Sequence, residues 1–182
     1  MAACLASSWR RPWLPQPGVA MFERRSGRIE QLPPVATNDL NGVRRTLPNG
    51  RLNILLIAYQ QWQQLEVDSW VPVVQSLERR HDELSYYELP VVGEMDVFRR
   101  RSLDFFMRRG IPDSHVRSRT LTFYTDAAGF REPLGIPDEG HIAIVLVDGD
   151  GLVLWRGSGP HTPGAARALG AAVEAATDRR VH

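Results

Sequence analysis

The chain has one cysteine, no lysine and no long apolar run. Each absence removes a class of function. The single thiol, Cys4, has no partner for an internal disulfide and no second thiol with which to cycle between oxidised and reduced forms. It fits a reducing, cytoplasmic compartment. All 22 basic residues are arginine, so Schiff-base catalysis, a P-loop lysine and a lysine general base are excluded. The longest apolar stretches are strand-sized, well short of the roughly 18 residues that a membrane-spanning helix needs.

What is present is the composition of a globular domain. At 182 residues, the chain is most simply one domain, able to bury about two-thirds of its surface on folding. A net charge of +1 gives no reason to expect nucleic acid as a partner. The first 20 residues make a poor signal peptide, because Arg10, Arg11 and Pro12 interrupt any apolar stretch. Met21 opens a sequence that continues into the domain. Residues 1–27 are therefore expected to be a tail or a mis-assigned start, residues 28–178 the domain, and residues 179–182 a short tail.

Strands and helices then alternate. Thr37 to Leu47 reads as a hairpin with Asn41-Gly42 as a two-residue turn. Leu52 to Tyr59 is an apolar run broken only by Asn53, as for a central strand covered on both faces. A helix is expected from Gln64 to His81, with Val67, Trp70, Val71, Val74 and Leu77 on one face and a kink at Pro72. Ser85 to Val92 reads as a strand, Glu94 to Arg109 as a helix and Arg119 to Thr125 as a third strand. Asp126 to Leu134 reads as a short helix or turn. A hairpin follows, with strands His141 to Val147 and Leu152 to Trp155 joined through Asp148-Gly149-Asp150-Gly151. Thr162 and Pro163 open a last helix that should end near Thr177.

This order, with the block ILLIAYQQWQQLEVDSWVP and the later block IAIVLVDGDGLVLWRG, resembles the thioredoxin-like superfamily in its peroxiredoxin-like form. The resemblance implies an α/β fold, a thioredoxin-like three-layer sandwich with a central mixed β-sheet flanked by helices. Placing Pro72 on the superfamily's helix proline puts Gln64 and Val67 where the two redox cysteines belong, and neither side chain can form a thiolate. The superfamily's cis-proline should fall near Ile142, after His141, and is also missing. A second likeness, through Asp68-Ser69-Trp70 and Arg108-Arg109-Gly110-Ile111-Pro112, is to the mitochondrial ATP-synthase assembly factors. It implies help in building a membrane complex rather than catalysis.

The candidate site is the polar turn after the first core strand. Gln60, Gln61, Gln63 and Gln64 cluster at the carboxyl end of that strand, an edge where α/β proteins commonly bind ligands. The tentative binding set is Gln60, Gln61 and Gln64 of that cluster with Trp62, Asp68, His141, Arg108 and Arg109. Each also has a plainer explanation: a solvated loop, a packed tryptophan, a helix-end charge. The five histidines show no metal-ligand spacing, so neither metal nor cofactor is expected. The expected partner is another protein. The arginine-rich helix at 94–109 adds a membrane surface as a further partner, and an enzyme of peroxiredoxin or reductase descent using non-cysteine chemistry is the other alternative.

Overall fold

The structure is a computed structural model that describes residues 30–181. The expectations for the N-terminal tail and for Cys4 lie outside the described residues. The elements in order are β1 (Val35–Asn38), β2 (Arg44–Leu47), β3 (Leu52–Ala58), α1 (Gln64–Arg80), β4 (Leu84–Val92), α2 (Val97–Gly110), α3 (Ser114–Arg119), β5 (Phe123–Tyr124), α4 (Ala127–Arg131), β6 (Ala143–Val147), β7 (Val153–Ser158) and α5 (Pro163–Val181). A 3-10 turn at Gln61–Gln63 leads into α1.

The main sheet has the strand order β5-β4-β3-β6-β7. Strands β3, β4 and β5 run parallel, while β6 and β7 are antiparallel to their neighbours. The apolar run of β3 is buried from Leu52 to Ile57, because the strand is central and both its faces are covered. On one face, Val67, Trp70, Val74 and Leu77 of α1 and Leu169 and Val173 of α5 pack on Leu52, Ile54, Leu56 and Tyr86. On the other, Phe130, Leu134 and Ile136, with Val35 and Leu47 of the small hairpin, pack on Leu55, Ile57, Tyr87 and Leu89. This is the expected sandwich with a central mixed sheet.

Two crossover connections shape the site. The connections β3-α1-β4 and β4-α2-α3-β5 step in the same direction across the sheet, so their helices share a face. An ion pair of 2.7 Å between Arg119 at the end of α3 and Glu78 of α1 ties the two connections together.

Four local expectations are corrected. Arg119 to Thr125 is not one strand. Asp113 caps a short helix by accepting a bond from the His115 amide, Thr120 and Leu121 make only isolated bridges, and β5 keeps two residues. The helix expected from Glu94 begins at Val97, because Asp96 accepts bonds from the amides of Phe98 and Arg99. Asn41-Gly42 sits in a wider loop, organised by the buried Asp39, whose Oδ1 accepts from the amides of Asn41 and Val43. The last helix runs past Thr177 to Val181. Helix α1 continues through Pro72, whose ring is exposed.

Candidate functional site: a cleft between the two crossover connections

The end of β3 runs into a turn fastened by Gln63. This side chain is fully buried: its Oε1 accepts from the amides of Tyr59 (2.8 Å) and Gln60 (3.2 Å), and its Nε2 donates to the Glu139 carbonyl (2.8 Å). Gln63 therefore leaves the solvated cluster predicted for it and becomes a structural tether. Two further contacts fix the start of α1. The Glu66 carboxylate meets His141 Nδ1 at 2.7 Å and accepts the Ile142 amide at 3.0 Å. Trp70 Nε1 donates to the Gly159 carbonyl at 3.0 Å, and its ring meets His161 edge-on.

Beside this turn lies a cleft of about 910 Å³. Its floor is Ala58 of β3 with Glu88 and Pro90 of β4. One wall is Gln64, Asp68, Val71 and Pro72 of α1; the other is Leu103, Met107, Ile111 and Val116 from the α2–α3 connection. Gln60 and Gln61 stand at the mouth. Volume and lining are those of a small-ligand cleft: mostly apolar, with a few polar groups.

Glu88 is the residue that sequence reasoning missed. It is only 6% exposed. Burial, and then the negative charge of Asp68, push its carboxyl up to about 7, while hydrogen bonding from Gln64 acts the other way. The Gln64 amide also donates to Asp68 Oδ1 at 2.9 Å, one helical turn along. The signal was present in the sequence as one charged residue inside the apolar strand SYYELPVV.

The predicted set divides. Gln60, Gln61, Gln64 and Asp68 come together around the cleft. Trp62 does not line it and stands 56% exposed on the outside of the turn. His141 is on the opposite flank of α1, engaged by Glu66. Arg108 donates from Nε to the Leu40 carbonyl at 2.6 Å, and Arg108 and Arg109 face outward from α2 rather than into the cleft.

No protein-family model and no curated protein matches the chain. Solved structures do match. One is a protein from Chlorobium tepidum provisionally assigned as the thiol:disulfide interchange protein DsbE. It is 15% identical over 83% of this chain and 98% of that one, with a TM-score of 0.51. A thiol:disulfide interchange protein from Bacteroides is 16% identical over 84% and 91%, TM-score 0.50. BsSco, of the Sco family of cytochrome c oxidase assembly proteins, is 12% identical over 82% and 95%, TM-score 0.54. The fold is thioredoxin-like. At such identities the likeness carries the fold and nothing of the activity. In this thioredoxin-like frame, Gln64 is the first residue of α1 and Val67 is buried in the core beneath it.

Proposed function

We propose that this chain is a thioredoxin-like binding domain that does no thiol redox chemistry and engages its ligand in the cleft between α1 and the α2–α3 connection. The observation that carries this is a 910 Å³ cleft beside Gln64 and Val67, the residues that the resemblance puts at the places of the redox cysteines. Without a thiolate at either place there is no nucleophile for disulfide exchange. An assembly role, as the second resemblance implies, and a cytoplasmic location, as the single cysteine suggests, belong to the same proposal.

The test is catalytic. Insulin reduction by dithiothreitol, and peroxide consumption, should not rise above the uncatalysed rate. Turnover of either that is lost in the Cys4→Ser variant would overturn the proposal, since Cys4 is the only thiol in the chain.

Two other functions have an observation of their own. Acid–base catalysis is favoured by Glu88, whose carboxyl is pushed up to about 7 and so exchanges its proton near neutral pH. Attachment to an anionic membrane is favoured by α2, which leaves Phe98, Phe105 and Phe106 81%, 59% and 68% exposed among its arginines.

A further inference from the structure

The cleft has a charge pattern unlike the rest of the chain. The protein carries 22 arginines, yet among the described residues that line the cleft there is no arginine, lysine or histidine. Two carboxylates, Asp68 and Glu88, do line it. Glu88 sits on the floor, more than nine-tenths buried, and the charge acting on it is the like charge of Asp68. A buried carboxylate without a counter-ion is costly. The wall opposite is apolar: Leu103, Met107, Ile111 and Val116.

We propose that the cleft binds an organic cation, an ammonium or guanidinium head on an apolar body, with the head against Asp68 and Glu88 and the body against Leu103, Met107, Ile111 and Val116. This rests on the reading of the cleft as a ligand site, and it names the ligand's chemistry. The head supplies the missing counter-charge at the floor. The Gln64 amide, already bonded to Asp68, holds that carboxylate in position. The apolar wall then selects against small hydrated cations, which would leave it facing water. Binding is coupled to proton release from Glu88. The groups that face it are Asp68 and Gln64 on α1, and the lining residues of α2 and α3 contribute no charge.

The probes are hexylammonium, hexan-1-ol and hexanoate, titrated into the full chain and followed by amide chemical shifts and calorimetry. Hexylammonium should bind more tightly than hexan-1-ol, and hexanoate should bind worst. Hexylammonium binding should tighten as pH rises through about 7. Glu88→Gln should weaken it by roughly tenfold at about pH 8 and leave hexan-1-ol unchanged. Asp68→Asn, at an exposed position, should weaken it less. Hexan-1-ol binding as tightly as hexylammonium would overturn the cation while leaving the cleft as a ligand site. Shifts confined to residues outside the cleft, or no binding of any probe, would overturn both. Acetyl-lysine-methylamide carries the same head on a peptide stem. Tighter binding than hexylammonium assigns the head to a partner's lysine, and weaker binding assigns it to a free amine.

Discussion

Helices α1 and α2 border the same cleft, yet they place their apolar residues in opposite ways. Helix α1 turns Val67, Trp70, Val74 and Leu77 into the core, each at most 2% exposed. Helix α2 buries none of residues 98–110 fully and shows three phenylalanines to solvent. It is held instead by polar contacts: Arg100 Nε donates to the Met95 carbonyl at 2.7 Å, the Tyr124 hydroxyl donates to Asp104 at 2.7 Å, and Arg108 bonds Leu40. Amphipathic pattern alone does not separate a core helix from a cleft wall. What separates them is where the crossover lands: α1 lies over the central strands, and α2 over the edge formed by β4 and β5.

The largest effect should come from attacking this contrast directly. Trp70→Ala removes a fully buried indole and its hydrogen bond to Gly159. It should cost about 3–5 kcal/mol in urea unfolding, enough to unfold a marginal domain. Phe98→Ala on α2, also a large-to-small change of an aromatic, should stay within about 0.5 kcal/mol. Equal losses at the two positions would mean that α2 is as much a part of the core as α1.

Much of the fold was legible because β3, α1 and β6 obey simple periodicity, and because Asp-Gly marks the turn between β6 and β7. The α2–α3 connection was less legible. Arg119 to Thr125 has strand-like composition, but Asp113 starts a helix upstream of it, and only two residues lie beside Val91 and Val92. The site was half legible. Four of the polar residues predicted for it do meet at one cleft, because they flank one strand end. Gln63 was misjudged because its amide fits three backbone groups inside the turn, which composition cannot reveal. His141 was misplaced because Glu66 draws it to the far flank of α1. Glu88 was passed over because strand burial, rather than any motif, gives it its chemistry.

The next effect in size tests that cleft floor. The folded protein holds the Glu88 proton up to about pH 7, whereas its ordinary value is 4.5. Between those values the folded state binds the proton that the unfolded chain has released. Stability therefore declines as pH rises from 4.5 to about 7 and levels off above. The loss from this one group is at most about 3–4 kcal/mol. Glu88→Gln removes it, so the variant should gain stability over the parent as pH rises through that window, and the gain should be largest at about pH 8. Parallel pH profiles for the two proteins would mean that Glu88 titrates like a solvated carboxylate and that the cleft floor is wet.

The smallest effect on stability should carry the largest consequence for surface behaviour. On α2, Phe98, Phe105, Arg101 and Arg109 fall on one helical stripe, with Phe106 and Arg99 beside it. Aromatic rings flanked by arginines suit the boundary of an anionic bilayer. Helix α2 needs none of these rings for packing, so Phe105→Ser with Phe106→Ser should shift unfolding by less than about 0.5 kcal/mol. If α2 meets a membrane, the parent should sediment with phosphatidylserine vesicles and the double variant should not. Arg99→Ser with Arg101→Ser should act alike, and added salt should weaken the parent's attachment by screening. A parent that ignores anionic vesicles removes the membrane and leaves the exposed rings as a surface for another protein. The contrast between the helices would then stand on packing alone, with α1 building the domain and α2 closing one side of its cleft.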